Sequence, residues 1–229
     1  NLSLRTALKV LKPIYFFKAT NEQNLYKGVQ GVNWSKYIGS NQTFVIDATV
    51  HSDNFNHSEF VSQKCKGAIV DQFRERTGQR PSIDKAYPDL RINIHIGKDQ
   101  VSVALDTSGN SLHQRGYRIA TNIAPINEVL AAGILLLSGW EGQSDFLDPM
   151  CGSGTLAIEA ALIATKRAPG LFRNNYAFMH IIGYDKKVYE QERTIIEEQV
   201  RHLPNLVIIA SDISRDAIKV AKINASVAG

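Results

Sequence analysis

Apolar and polar residues alternate along the first half of the chain in two distinct patterns. Strict alternation and clusters of β-branched residues predict strands, whereas apolar residues spaced three and four apart predict helices. On these criteria, residues 4–10 favour either a helix or a short strand. The other predicted elements are strands at 14–19, 44–50, 90–96 and 100–106, and helices at 22–30 and 58–76.

A different order of elements follows a polar, basic connector at residues 108–118. The pattern predicts helices at 125–138, 155–167, 188–200 and 215–227, and strands at 146–147 and 206–210. Strands that alternate with helices are typical of an α/β protein with a parallel, doubly wound sheet. We therefore predict two domains, residues 1–117 and 118–229. The longest apolar stretch, 129–137, predicts a buried helix and is too short to cross a membrane.

The charge is unevenly distributed between the two halves. Residues 1–119 hold 16 Lys/Arg against 10 Asp/Glu, a balance of +6, whereas residues 120–229 hold 10 against 12, a balance of −2. The basic first half suggests a polyanionic partner. The two cysteines are too few for a disulfide framework and fit free thiols in a reducing cytoplasm. His57, His95 and His113 lack metal-ligand spacing, so we predict no metal site.

The segment 148–155, Asp-Pro-Met-Cys-Gly-Ser-Gly-Thr, follows a predicted strand and opens a predicted helix. Its glycines, Gly152 and Gly154, permit positive φ angles and the close approach of a ligand. The free N–H groups of the helix's first turn would face that ligand. A second acid, Asp212, follows the next predicted strand and is well placed to accept hydrogen bonds from both hydroxyls of a ribose.

This turn departs from the G-x-G-x-x-G pattern of dinucleotide-binding proteins, because an acid precedes it and Leu156 and Ala157 follow the second glycine. The departure favours S-adenosylmethionine over NAD, since Asp148 could neutralise the cofactor's ammonium while backbone N–H groups bind its carboxylate. Cys151 is a poor nucleophile because no His or basic residue adjoins it. The predicted cofactor-binding residues are Asp148, Pro149, Met150, Cys151, Gly152, Gly154, Thr155, Asp212 and Ile213.

Several motifs together resemble the THUMP-containing RNA guanine-N2 methyltransferases, and among them the bacterial enzyme that modifies 23S ribosomal RNA. They are LHQRGYR at 112–118, APINE at 124–128, Gly139-Trp140, the segment 148–155, IEAA at 158–161 and APGL at 168–171. The resemblance covers nearly the whole chain. It implies a ferredoxin-like segment plus a THUMP RNA-binding domain in the first half, followed by a Rossmann-like methyltransferase domain that uses S-adenosylmethionine. By this resemblance Asp148, Gly152 and Gly154 belong to the cofactor loop, and Asp212 is the ribose-binding acid.

One feature of that family is absent from the sequence. In its members, an Asn/Asp-Pro-Pro-Tyr motif after the fourth strand holds the amine that receives the methyl group. No two of the seven prolines in this sequence are adjacent, so the motif does not occur in it. We therefore predict no catalytic residue in this chain. We expect an incomplete methyltransferase domain, either a fragment or part of a longer protein, and the first residues also look like the middle of a longer chain.

RNA is the expected partner, ribosomal RNA first and tRNA second. RNA is usually recognised through its shape and backbone, which suits scattered cations. Three alternatives stay open: a tRNA guanine as acceptor, a DNA adenine amine as acceptor, and a non-catalytic RNA-binding protein. The predicted RNA-binding residues are Lys64, Lys66, Arg74, Arg76, Arg80, Arg115 and Arg118.

Overall fold

The computed structural model describes residues 1–121 and 124–229. The chain divides into two compact units. The five-stranded unit comprises Lys9–Gly109 and Asn175–Asp185, and the two-stranded unit comprises Asn1–Leu8, Asn110–Asn174 and Lys186–Gly229. The first eight residues thus belong to the same unit as the segment 148–155. A division into domains at residue 117 stays a prediction.

The five-stranded unit is a mixed sheet with two helices. Its strands run in the order β1-β5-β4-β2-β3, with β1 and β4 antiparallel to β5 and with β3 and β4 parallel to β2. Its elements are β1 (Leu11–Lys18), α1 (Glu22–Gln30), β2 (Thr43–His51), α2 (Ser58–Thr77), β3 (Ser82–Ile83), β4 (Leu90–Gly97) and β5 (Gln100–Asp106), with short 3-10 turns at Trp34–Lys36 and Ala177–His180.

Alternation along β4 explains how this unit forms its core. Leu90, Ile92, Ile94 and Ile96 all point to one face and are buried, because successive side chains in a strand point to opposite faces. Apolar residues of β2, β5, α1 and α2 belong to the same cluster. The alternating pattern that predicted the strand therefore also identifies the face that is buried.

The two-stranded unit has alternating strands and helices. Its strands β6 (Phe146–Asp148) and β7 (Ile208–Ala210) pair in parallel, with Asp148 opposite Ala210. Parallel pairing requires a crossover connection, which helices supply here. The helices are α3 (Glu128–Leu137), α4 (Thr155–Ala164), α5 (Lys186–Glu198) and α6 (Arg215–Ala228), and a 3-10 turn spans Pro169–Phe172.

Helix α4 is the central helix of the two-stranded unit. It contacts α3, α6 and both strands, and eight of its ten residues are buried. Ile158 and Leu162 pack with Tyr117 and Ala228, whereas Ala160 and Ile163 pack with Leu135 of α3. The segment 148–155 therefore leads into a helix that is held on several sides.

The predicted elements are confirmed in kind, with shifts at their ends and three differences. Residues 4–10 form neither a helix nor a strand, and the short strand β3 was not predicted. Helix α3 begins at Glu128 because the Asn127 side chain accepts hydrogen bonds from the N–H groups of Val129 and Leu130. The predicted burial of the helix at 129–137 holds on one face only, since Ala131, Ala132 and Leu135 are buried whereas Leu137 is 91% exposed and Leu130 and Ile134 are also exposed.

No helix in the described ranges 1–121 and 124–229 is long and apolar enough to span a membrane.

Candidate functional site

The turn between β6 and α4 adopts a conformation that depends on its two glycines. Gly152 has a φ of 53° and Gly154 a φ of 84°, both in the left-handed region that residues with a Cβ rarely adopt. A Cβ on Gly154 would lie 3.1 Å from the Cβ of Ala221, so this glycine also lets α4 approach α6. A Cβ on Gly152 would meet no atom within 4 Å, so open space lies above the turn there.

Asp148 ends β6 with a carboxylate that is only partly satisfied. The residue is 7% exposed, and its Oδ1 accepts a 3.2 Å hydrogen bond from the Met150 N–H. Its Oδ2 is buried and has no hydrogen-bond partner among the described residues. A buried carboxylate oxygen without a donor is costly, so such an atom marks a place where a ligand could donate a hydrogen bond.

Asp212 lies beside the turn and is bonded to it directly. Its Oδ2 accepts a 2.9 Å hydrogen bond from the Gly152 N–H, and its Oδ1 accepts one of 2.9 Å from the Ser214 N–H. These two backbone bonds, that from Ser214 first, lower the pKa of the Asp212 carboxyl below its ordinary value. The group is therefore ionised at neutral pH. A carboxylate offers about four lone-pair positions, so each oxygen retains capacity to accept a further bond.

The segments that follow the two strands are also joined by their backbones. The Ser211 N–H donates to the Asp148 carbonyl at 2.8 Å, and the Cys151 N–H donates to the Ser211 carbonyl at 2.9 Å. Parallel, in-register pairing of β6 and β7 brings these segments to one edge of the sheet. The structure thus brings Asp148, Gly152 and Asp212 together, as the sequence predicted.

The remaining predicted cofactor residues differ in exposure. Met150 is 83% exposed and Ile213 is fully exposed, so two apolar side chains face solvent beside the acids. Pro149 is exposed as well. Cys151 is buried, and burial first, with Asp148 and Asp212 nearby, raises the pKa of its thiol. The thiol is therefore protonated at neutral pH and unsuited to nucleophilic attack.

The side chain of Thr155 makes its contacts within the protein. Its side chain is buried, and its Oγ1 accepts a 2.8 Å hydrogen bond from Arg118 Nη2 and lies 3.2 Å from Ser153 Oγ. The hydroxyl is thus used within the protein. The N–H of Thr155, in the first turn of α4, has no partner within the helix and remains a candidate for ligand binding.

Arg115 does not suit the RNA-binding role predicted for it. Its side chain is 1% exposed, and its Nε lies 3.4 Å from Glu159 Oε1, in an ion pair whose acid is 0% exposed. Its other nitrogens donate to backbone carbonyls, including that of Leu112 at 2.8 Å. The Tyr117 hydroxyl donates to the same carboxylate at 3.0 Å. Burial raises the pKa of the Glu159 carboxyl even with Arg115 beside it.

Arg118 likewise bonds within the protein rather than facing a partner. Its side chain is 15% exposed and pairs with Glu128 at 3.0 Å. Its Nη2 donates to the Ile126 carbonyl at 2.7 Å and to Thr155 Oγ1. The sequence contains one signal for such buried pairs: Glu159 is the only charged residue in the otherwise apolar helix α4. An acid in a buried helix requires a partner, and the nearby arginines supply it.

The other five predicted RNA-binding residues lie on or just after α2. Lys64 and Lys66 flank opposite sides of its buried stripe, since a helix turns about 100° per residue. Lys64 pairs with Glu22 at 3.3 Å and Arg74 with Asp71 at 3.3 Å. Arg76 donates to Asn33 at 2.9 Å. Arg74, Arg76 and Arg80 are exposed. The five cations do not all lie on one face of the helix.

No group of three or more His, Cys, Asp or Glu side chains that could hold a metal occurs in the part of the chain that the structure describes.

Comparison with known proteins identifies both units. The profile of the family described as "RMKL-like, methyltransferase domain" matches residues 115–229, and the THUMP domain profile matches residues 19–106. A protein named "Ribosomal RNA large subunit methyltransferase K/L", from Syntrophotalea carbinolica, is 43% identical over 233 residues. That match covers 98% of this chain and 32% of the relative, so the chain spans about a third of that relative's length.

Two solved structures superimpose on the entire chain and on 60% of their own chains. One is described as a predicted N6-adenine-specific DNA methylase from Listeria monocytogenes, with a TM-score of 0.89 and 33% identity. The other is described as a methyltransferase, SMU.472, complexed with SAH, with a TM-score of 0.85 and 32% identity.

The fold and the glycine turn define an α/β protein with an N-terminal THUMP region and a Rossmann-like methyltransferase fold. The chain belongs to the family of RMKL-like methyltransferase domains.

Proposed function

We propose that this chain forms the cofactor-binding part of an S-adenosylmethionine-dependent RNA methyltransferase. The observation that carries the proposal is the buried, unpartnered Oδ2 of Asp148, beside the open space at Gly152 and the ionised Asp212. Family membership and the SAH complex of a neighbour at 32% identity support this choice of cofactor, because SAH is what S-adenosylmethionine becomes after losing its methyl group.

The residues at the turn fit the chemical groups of that cofactor. Asp148 Oδ2 would accept a hydrogen bond from the cofactor's ammonium, which supplies the missing donor. Asp212 would accept from the ribose hydroxyls, and the free N–H groups at the start of α4 would bind the carboxylate. Ile213 and Met150 offer exposed apolar surface for the adenine. When bound, S-adenosylmethionine supplies an electrophilic methyl group on a sulfonium.

For the substrate, we propose the N2 amine of a guanine in 23S ribosomal RNA. The support is the name of the Syntrophotalea relative, the THUMP match and the motif resemblance. A base must leave the stack to reach a methyl donor, which suits RNA loops and unpaired positions. The acceptor-binding Pro-Pro-Tyr motif is absent from this sequence, so no catalytic residue is assigned within it. A cytoplasmic location follows from this substrate.

For RNA contact we propose Lys64, Lys66, Arg74, Arg76 and Arg80, all in the five-stranded unit. Phosphate contacts release counterions, so RNA affinity should fall steeply as salt increases. Replacing an exposed cation such as Arg80 by an uncharged residue should lower this salt dependence. One lost phosphate contact changes the slope of log affinity against log salt concentration by about one. An unchanged slope in a variant that lacks all five cations would contradict this assignment.

Isothermal titration with SAH tests the cofactor site. Asp148→Asn and Asp212→Ala should each weaken binding by about tenfold or more, because each removes a charge-assisted bond. Asp216→Ala is the matched control: this aspartate lies in the first turn of α6, is exposed, and pairs with Lys219. Its SAH affinity should equal that of the wild type. Equal losses in all three variants, or no SAH binding by the folded wild-type protein, would contradict the proposed site.

The acceptor is tested with the complete enzyme of which this chain is proposed to be the cofactor-binding part, by methyl transfer from isotopically labelled S-adenosylmethionine to 23S ribosomal RNA, tRNA and duplex DNA. We expect N2-methylguanosine in ribosomal RNA. Label in tRNA guanine would move the proposal to that substrate, and N6-methyladenine in DNA would replace it. SAH binding without transfer to any of them would favour a protein that binds RNA and cofactor without catalysing methyl transfer.

A further inference from the structure

Asn224 joins three segments of the two-stranded unit through four hydrogen bonds. It lies on α6, is 1% exposed, and its Oδ1 accepts from the N–H groups of Ile119 and Ala120, both at 3.1 Å. Its Nδ2 donates to the Ala120 carbonyl at 2.9 Å and to the Ser153 carbonyl at 3.1 Å. Both the oxygen and the nitrogen of this amide therefore make hydrogen bonds, and one of the bonds reaches Ser153, between the two turn glycines.

Arg118 holds the next part of the same turn from the same connector. Its bond to Thr155 Oγ1 fixes a side chain that in turn lies 3.2 Å from Ser153 Oγ. Its ion pair with Glu128 and its bond to the Ile126 carbonyl fix the guanidinium itself. The residues that follow Tyr117 are thus attached to the cofactor turn by two independent side chains.

A turn with two glycines needs such support. Glycine loses more conformational freedom on folding than other residues, so a segment with Gly152 and Gly154 has many alternative backbone states. Hydrogen bonds to the Ser153 carbonyl and the Thr155 hydroxyl remove those alternatives before a ligand arrives. Rigid support of this kind increases affinity because less entropy is lost on binding.

We propose that Asn224 and Arg118 are positioning residues that hold Ser153 and Thr155 in the conformation that binds the methyl donor. Neither would touch the cofactor; each acts through the turn. The identity of the ligand rests on the proposed function, whereas the ordering of the turn by these two residues does not depend on it.

The test compares Asn224→Ala with Gln72→Ala, a matched control in the five-stranded unit. Gln72 is also a buried amide with several backbone partners, since it accepts from the Trp34 N–H and donates to the carbonyls of Gln30 and Val32. Both variants should lower the melting temperature. Only Asn224→Ala should raise amide exchange at 152–156 in the ligand-free protein and lower SAH affinity, each by about tenfold.

Two further variants keep the test decisive if Asn224→Ala folds poorly. Asn224→Asp retains the acceptor for the N–H groups of Ile119 and Ala120 but loses the donor to the Ala120 and Ser153 carbonyls, so it should reproduce both effects. Arg118→Met should do the same, and Arg118→Lys should restore part of the loss because a lysine retains a donor near Thr155. Affinity is measured at a temperature where circular dichroism shows each variant folded.

Exchange rates and SAH affinities within twofold of wild type in folded Asn224→Asp and Arg118→Met would overturn the inference. Equal exchange increases in Gln72→Ala would also overturn it, since the effect would then be general loss of stability. If the wild-type protein binds no SAH, the proposed function fails by itself. In that case the exchange rates at 152–156 still decide whether the two residues hold the turn.

Discussion

Removing the Glu159 carboxylate should destabilise the two-stranded unit strongly, because it would leave the Arg115 charge buried. Both side chains are almost completely excluded from solvent. Breaking one partner of a buried ion pair leaves an uncompensated charge, which costs about 3–5 kcal/mol. Glu159→Ala also leaves the Tyr117 hydroxyl without its acceptor.

The other contacts of Arg115 determine how large the loss of unfolding free energy in Glu159→Ala is within this range of about 3–5 kcal/mol. Its guanidinium also donates to the carbonyls of Leu112 and Arg5, and these bonds survive in Glu159→Ala. They lower the penalty for the orphaned charge. The lost tyrosine bond raises it again by about 1 kcal/mol. We therefore expect a total near 4 kcal/mol in the free energy of unfolding, which a small unit could barely tolerate.

Tryptophan fluorescence during urea denaturation can follow each unit separately. The chain has two tryptophans, of which Trp34 lies in the five-stranded unit and Trp140 in the two-stranded unit. Trp140 contacts Phe146 of β6, with ring centroids 5.2 Å apart, so it reports on the strand before the cofactor turn. In a Trp34→Phe background, Glu159→Ala should shift the Trp140 transition to lower urea.

A control and a double variant separate charge burial from simple loss of contacts. Glu190→Ala breaks an exposed pair with Lys186 and should cost at most about 0.5 kcal/mol. The double variant Glu159→Leu with Arg115→Met replaces the pair by apolar residues of similar size and should recover most of the stability. A double variant as unstable as Glu159→Ala, or a Glu159→Ala cost below 1 kcal/mol, would refute the reasoning.

Four further predictions concern the two turn glycines, Asp212 and the buried Cys65 thiol. Gly154→Ala should destabilise the protein by about 1–3 kcal/mol in thermal melting, because its φ is positive and the new Cβ would crowd Ala221. Gly152→Ala should cost about 1–2 kcal/mol of backbone strain. Its main effect should be the loss of SAH binding in titration, because the new methyl group fills the open space above the turn. Because backbone bonds lower the folded-state pKa of Asp212, its stabilising contribution is present above the unfolded pKa of about 3.9 and is lost as pH falls through the folded pKa. Asp212→Asn should therefore flatten the stability curve below about pH 4, and an unchanged slope in acid titrations would contradict this. Burial raises the pKa of Cys65 to about 12, so it should resist thiol reagents at pH 8 until the five-stranded unit unfolds; rapid labelling of the native protein would be inconsistent with its position.

The elements and the cofactor turn could be predicted because the signals for them are local. Alternation placed β4 and β5, the acid-glycine motif placed Asp148 at the end of one strand, and the apolar run at 206–210 placed Asp212 just after the next. The exposure of Leu137 and its neighbours in α3 was not predictable in the same way. Apolar composition shows that a helix could be buried, but not which elements are available to cover it.

The roles of Arg115 and Arg118 were misjudged for a related reason. A basic residue in a polar connector has the same appearance in sequence whether it faces RNA or a buried acid. Only the tertiary structure shows that Glu159 and Glu128 lie opposite these arginines. Asn224 gave no sequence signal at all, since the three residues that it bonds lie 71 to 105 positions away.

The attachment of the first residues to the two-stranded unit affects how this protein is made. Arg5 Nη2 donates to the carbonyls of Leu162 and Arg167, which lie 157 and 162 positions further along the chain. Ribosomes add about 5–20 residues each second, so these acceptors emerge roughly 8–30 seconds after Arg5 does. The Arg5 guanidinium must therefore wait through the synthesis of the entire five-stranded sheet before these two acceptors emerge, and a chaperone that binds the nascent chain would encounter that charge without them throughout the interval.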